Sequence, residues 1–226
     1  MHDSRWTVIG GWSLPPQLLS GIFGNAARYI DSNDELPGIF ENEHLPEHWP
    51  QILADQLFPA AVQPDLLAGW STGAIIAAAL APIIKPKALL LFSSTPSFVR
   101  RDSFLHGTRT TLVSSMIKEL ASDCNGVLKQ FYTRCGFTDL PSQKNYSVIS
   151  LQKGLFFLQQ ANLLTAASPS CPVICMHGIS DAIIPLRAGQ MFCEKHGGTM
   201  YEIAGAHQFF LNETQKIKSI IDVLEK

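Results

Sequence analysis

Gly69-Trp70-Ser71-Thr72-Gly73 is preceded by Leu66-Leu67-Ala68 and followed by Ala74-Ile75-Ile76-Ala77-Ala78-Ala79-Leu80. The order reads as strand, tight turn, helix, the setting in which a Gly-x-Ser-x-Gly turn lifts a serine hydroxyl clear of a sheet. Glycines two residues before and after the serine let strand and helix backbones pass where a Cβ would collide. Thr72 falls at the helix N-terminus, so its N–H lacks an intrahelical partner and is available to a developing oxyanion. Residues 66–84 carry no charge and are long enough to suggest a membrane span. The run nevertheless holds Gly69, Ser71, Thr72, Gly73 and Pro82, which fits a buried strand feeding a buried helix better.

Outward from this turn the chain alternates strand and helix. Towards the N-terminus lie a β-prone run, residues 5–10, a short helix from about Gln17 to Phe23, and a strand at 26–31. A polar, proline-punctuated loop (32–46) without periodicity follows. Residues 47–58 then place Trp49, Ile52, Leu53, Gln56 and Leu57 at helical spacing. Past the turn, the helix runs to about Ile84 and a second buried strand spans Ala88–Ser93. Alternation of this kind predicts a parallel sheet covered on both faces. From Ser97 to Ala167 the rhythm changes to helical stretches at about 110–121, 126–134 and 145–164, separated by Asn125-Gly126, Cys135-Gly136 and Pro141. It resumes at Pro172 with strand 173–176, helix 186–195, strand 199–203 and a last helix at about 213–224.

Composition limits the function classes. With 226 residues, 46% hydrophobic and 16% charged, the chain is globular with one large core. A net charge of −2 offers no general attraction to nucleic acid or an anionic membrane. Five cysteines, odd in number and without paired metal spacing, fit free thiols in a reducing compartment. The first six residues show no secretory pattern, so a cytoplasmic protein is expected. No P-loop, dinucleotide or zinc spacing is present, and no cofactor or metal is inferred.

A serine nucleophile needs a base, and the base an orienting acid. Among seven histidines, His207 follows the strand 199–203 in Gly205-Ala206-His207 and precedes the final helix, the position expected of the base. His2, His44, His48 and His106 lie in tail or loops and are expected to be solvated. His196 ends a helix, where it could complement the dipole, and His177 is read as a brace for the loop that follows it. Asp181 in His177-Gly178-Ile179-Ser180-Asp181 is the preferred acid, with Asp102, after the strand 88–93, as the alternative. Gly10-Gly11-Trp12-Ser13, after the first strand, is the candidate second half of an oxyanion hole, with the Trp12 N–H beside that of Thr72. Trp12, Trp70 and Phe131 are the candidates for the substrate pocket.

These residues together resemble the α/β-hydrolase superfamily. More narrowly, the chain resembles the BioH-type carboxylesterases of biotin synthesis, which cleave the methyl ester of pimeloyl-acyl-carrier protein. The likeness rests on Gly10-Gly11-Trp12, the Gly69–Gly73 turn, Ser93-Ser94-Thr95-Pro96-Ser97-Phe98, Lys153-Gly154-Leu155-Phe156-Phe157-Leu158, Asp181 and Ala206-His207. It implies a mostly parallel central sheet flanked by helices, with residues 1–96 and 168–226 as the core and 97–167 as a helical lid. It also implies a Ser71–His207–Asp181 triad acting, as a monomer, on a small or carrier-bound ester, with neither nucleic acid nor membrane as partner. Such esterases usually have His-Gly where this chain has Gly10-Gly11, and strands before the one ending at Gly10 have no counterpart. Family lids offer arginines to the acidic carrier; the corresponding cations here are Lys129, Arg134 and Lys144, with Gly126 and Gln130 at neighbouring positions. Other activities that fit are a generic short-chain esterase, a thioesterase or a lactone hydrolase, and outside enzymology a hydrolase-fold ligand-binding protein. Phe98, Phe104, Phe131, Phe137, Phe156 and Phe157 either pack the lid onto the sheet or line an acyl channel.

Overall fold

The computed structural model describes residues 6–59, 64–139 and 144–222; His2 and the rest of 1–5, Pro141 and the last positions of the helix expected at about 213–224 lie outside them. Six strands, β1 (Trp6–Ile9), β2 (Arg28–Ile30), β3 (Leu66–Trp70), β4 (Ala88–Phe92), β5 (Val173–Gly178) and β6 (Thr199–Ile203), form one sheet in the order β2-β1-β3-β4-β5-β6. Every pairing is parallel, and one row runs Val8–Ala68–Leu90–Ile174–Thr199 across the sheet. Strands β1, β3, β4 and β5 are buried along their whole length, whereas the edge strand β6 buries only Ile203. That contrast explains the uninterrupted apolar runs in the middle of the sheet. Because all strands point one way, the loops after β1, β3, β4, β5 and β6 emerge along a single edge. Strand order reverses between β1 and β3, the place where open parallel sheets open a crevice.

The helices are α1 (Ser20–Phe23), α2 (Ser32–Glu35), α3 (Trp49–Leu57), α4 (Thr72–Ile84), α5 (Thr110–Glu119), α6 (Cys124–Cys135), α7 (Val148–Gln160), α8 (Leu186–Lys195) and α9 (Thr214–Ile221). Helix α4 packs on β1, β3 and β4, with α3 laid against it. Its alanines let it lie close to the sheet, and it is buried almost all round. The uncharged 66–84 run is therefore strand plus buried helix. Among the described residues no helix is long and apolar enough to cross a membrane.

Two local expectations need correction. The helix read at 17–23 is a 3₁₀ turn, Pro16–Leu19, continued by the single turn α1. The 32–46 stretch is not featureless: α2 is capped by the Asp31 carboxylate, which accepts from the Asn33 N–H, and a second 3₁₀ turn follows at Leu36–Ile39. One-turn helices are set by capping, not by periodicity, so pattern reading passes over them. The segment between β4 and β5 is helical as expected, though α7 is shorter than the 145–164 stretch. Helix α7 packs on α2 and on the 36–39 turn, and residues of α5, α6 and α7 share the main hydrophobic core with the sheet.

Candidate active site

Ser71 sits between β3 and α4 at φ 57°, ψ −116°, a conformation that costs a non-glycine residue about 1–3 kcal/mol. The flanking glycines are obligatory for steric reasons. A Cβ on Gly69 would lie 2.2 Å from the Gly73 carbonyl oxygen, and one on Gly73 would lie 2.1 Å from that of Ile9. The turn thus threads between β1 and its own helix. Its Ser71 N–H donates to Phe92 O at 2.9 Å, which ties it to the end of β4.

The two side chains read from the sequence as base and acid lie together. His207 Nδ1 lies 2.7 Å from Asp181 Oδ2, and both side chains are fully buried. Asp102, the alternative acid, is exposed in a turn, and it is Asp181 that pairs with His207. Asp181 is saturated with donors: Ser93 Oγ at 2.8 Å on Oδ2, and the N–H groups of Ile183 and Ile184 at 2.8 and 2.9 Å on Oδ1. Burial alone would raise its pKa. The charge and hydrogen bond of His207, then His177 and the Ile184 N–H, outweigh it and hold the carboxyl at about 2. An ionised Asp181 keeps the proton on His207 Nδ1, leaving Nε2 as a basic nitrogen; Nε2 is buried and has no hydrogen-bond partner among the described residues. Ser71 Oγ makes no hydrogen bond to it. His207 is seated by Trp70, whose Nε1 donates to His207 O at 3.2 Å and whose ring lies 5.3 Å from the imidazole.

Ser93 is a site residue that the sequence reading did not single out for a role. It too has positive φ (47°), which turns its hydroxyl back towards Asp181. A serine directly after a buried strand was the available signal. His177 behaves as a brace: its Nε2 contacts Ile184 O at 2.8 Å and Asp181 Oδ2 at 3.4 Å, and burial lowers its pKa. His196 does not serve the helix dipole as a cation. It caps α8 half-buried beside Ser168, and burial, helped by Lys195, lowers its pKa to about 4, which keeps it neutral.

On the opposite side of Ser71 lies the loop after β1. A Cβ on Gly11 would stand 3.3 Å from Ser71 Cβ, so a side chain there would crowd the serine. Neither the Trp12 nor the Thr72 N–H donates a hydrogen bond within the described residues, leaving both free for an oxyanion. The Trp12 indole is fixed from α7, donating to Leu151 O at 2.8 Å, and it meets Phe131 edge-on at 4.8 Å. Gly154 makes this contact possible, because a Cβ there would fall 2.4 Å from Trp12 Cδ1. That accounts physically for the glycine in Lys153-Gly154-Leu155.

A cavity of about 610 Å³ opens above Ser71. Buried Trp12, Ser71, Val127, Leu155 and Ile183 mark its closed end, and exposed Arg100, Arg109, Leu112 and Arg134 its open end. Trp12 and Phe131 line it. Trp70 does not: its indole is turned away, buried against His207 and Phe210, because the residue before the serine belongs to the strand and faces the core. Of the six phenylalanines, Phe98 and Phe131 line the cavity; Phe157 packs on Trp49, Phe156 joins the same core, and Phe104 and Phe137 belong to a small cluster with Ile183 and Ile184. The three cations separate. Arg134 reaches the open end and donates to Ala182 O, while Lys129 is exposed on the same helix. Lys144 is not a free cation, since it is ion-paired with both Asp31 and Asp34.

No protein-family model matches the chain. A pimeloyl-[acyl-carrier protein] methyl ester esterase of Chromobacterium violaceum is 26% identical over 243 residues, spanning 96% of this chain and 93% of that one. The protein of the same name from Stenotrophomonas maltophilia is 36% identical over 128 residues, 55% of this chain and 49% of its own. Among solved structures, an esterase from Exiguobacterium antarcticum superposes with a TM-score of 0.79 at 18% identity, covering 99% of this chain and 93% of that one. BioG from Haemophilus influenzae gives 0.64 at 16% identity, with 93% and 92% covered. The chain has the α/β-hydrolase fold, and the sequences it is similar to include pimeloyl-[acyl-carrier protein] methyl ester esterases.

Proposed function

We propose that this protein is a serine carboxylesterase that hydrolyses the methyl ester of a pimeloyl group borne on acyl carrier protein. The observation that carries the hydrolase reading is the buried His207–Asp181 pair, with Nε2 unpartnered, beside a strained Ser71 at the closed end of a cavity. The substrate follows from the names of the sequence relatives. In this reading Ser71 Oγ attacks the ester carbonyl while His207 Nε2 takes its proton, and Asp181 stabilises the imidazolium. The Trp12 and Thr72 N–H groups hold the oxyanion. Collapse expels methanol, which takes the proton from Nε2; water then enters by the same route and releases the acid.

Residues 97–167 act as the lid, since α5, α6 and α7 each contribute lining residues. A carrier protein would meet Arg100, Arg109 and Arg134 at the open end, with Lys129 beyond them; Lys144 is no longer part of this surface. One chain supplies the whole site, so a cytoplasmic monomer suffices. The test is growth of a biotin-requiring strain that lacks its own esterase, with Ser71→Ala as the control. Growth with the parent and none with the variant supports the proposal. No growth, together with hydrolysis of short chromogenic esters, would make it a generic esterase, and no hydrolysis at all a binding protein.

A further inference from the structure

The Gly11–Trp12 peptide is gripped by side chains outside the triad. Asn33 Nδ2 donates to Gly11 O at 3.2 Å and Ser32 Oγ donates to the same oxygen at 3.3 Å. Asn33 Oδ1 accepts the Ser13 N–H at 2.8 Å, so one buried amide spans both peptides around Trp12. In a trans peptide the C=O and N–H point in opposite directions. Holding Gly11 O towards Asn33 therefore turns the Trp12 N–H away from it, to the side where Gly11 abuts Ser71 and Trp12 lines the cavity. Ser13, at φ 59°, needs such a hold to keep its strained conformation.

Asn33 is itself oriented. Its Nδ2 also donates to Asp31 Oδ1 at 2.8 Å, and its N–H to the same oxygen at 3.0 Å. The other Asp31 oxygen accepts Tyr146 Oη at 2.8 Å and Lys144 Nζ at 3.1 Å, and Ser150 Oγ bonds to Asn33 O. Tyr132 Oη closes the loop from α6, donating to Ser13 O at 2.9 Å. All these outer groups come from residues 132–150, in the helical segment.

We infer that Asn33 is a positioning residue for the oxyanion hole: through Gly11 O and Ser13 N it aims the Trp12 N–H, and Asp31 relays the hold of the helical segment to it. The inference rests on the proposed roles of Ser71 and Trp12. An amide aimed at the oxyanion acts in the transition state and not on the bound ester, which separates this role from a merely structural one.

The experiment measures kcat and KM on a small chromogenic ester, the inhibition constant of an alkyl trifluoromethyl ketone that forms a hemiketal oxyanion on Ser71, and thermal unfolding. For Asn33→Ala we expect kcat to fall by about 10²-fold, the loss typical of an oxyanion donor, with KM little changed and the ketone weakened in proportion. Ser32→Ala and Tyr146→Phe should show the same split on a few-fold scale, and they decide the matter if Asn33→Ala does not fold. Unchanged kcat in the folded variants, or a loss confined to KM, overturns the inference. Activity surviving in Ser71→Ala would instead remove the reading on which it rests, so the two failures are distinct.

Discussion

The loops after β5 and after β1 face each other across Ser71 and are held by different means. Asp181 is fixed from the sheet side, by Ser93 at the end of β4 and by N–H groups two and three residues along its own loop. The Gly11–Trp12 peptide is fixed from outside the sheet, by Asn33 after β2 and by groups on α6, α7 and the chain before α7. A carboxylate can gather several donors locally, because a short loop presents successive N–H groups to one oxygen. A peptide whose N–H must stay free cannot be held by that N–H. It has to be gripped by its carbonyl and its neighbours, and those grips come from distant parts of the chain. The Asp181 carboxylate is therefore held by its own loop and β4, with Arg134 of α6 reaching only the neighbouring Ala182 O, whereas the Gly11–Trp12 peptide depends on the helical segment. His207 is a partial exception, since Gln208 ties its loop to the end of α6 through Gly136 O at 2.7 Å.

The largest test of this contrast is Asp181→Asn. It should lower kcat on the order of 10⁴-fold by leaving His207 in the wrong tautomer, as in the trypsin precedent. Asp102→Asn should leave kcat unaltered; steady-state kinetics on a small ester would expose a reversed order. A smaller effect separates the cations. Lys129→Glu with Arg134→Glu should reduce kcat/KM for a carrier-bound ester by about tenfold, the deficit shrinking at high salt; free esters should lose less and without the salt dependence, since Arg134 also lines the cavity and holds Ala182 O. Lys144→Ala should instead slow both substrates a few-fold through Asp31, insensitively to salt. If Lys144 behaved like Arg134, the helical segment would not be supporting the oxyanion loop.

The smallest effect concerns acid stability. Asp181 has a folded pKa of about 2, below the ordinary carboxylate value of about 4, so its contribution is present above about pH 4 and lost as pH falls towards 2. His177 and His196 are also depressed, which means the unfolded chain takes up their protons first and stability declines as pH drops below 6.5. Urea unfolding from pH 7 to 3 should show the midpoint falling throughout. The difference between the parent and Asp181→Asn should narrow only below about pH 4, as the folded and unfolded pKa values require.

Much of this could be read along the chain because its causes are local. The alternation of apolar runs with helical spacing determined the parallel sheet, since a strand covered on both faces has little choice of residue. The spacing of Gly69, Ser71 and Gly73 determined the turn, since any Cβ there would strike Gly73 O or Ile9 O. Positions directly after strands marked Asp181, His207 and Gly11-Trp12. What tertiary structure alone decided depends on groups far apart in sequence. The Trp70 indole faces the core because of strand alternation against Phe210, Lys144 is consumed by two aspartates more than a hundred residues away, and Ser93 reaches Asp181 across 88. Asn33 is the sharpest case: it lies in a one-turn helix with no periodicity, and its amide acquires a role only when β1 and β2 pair side by side and bring Gly11 O and Ser13 N within its reach.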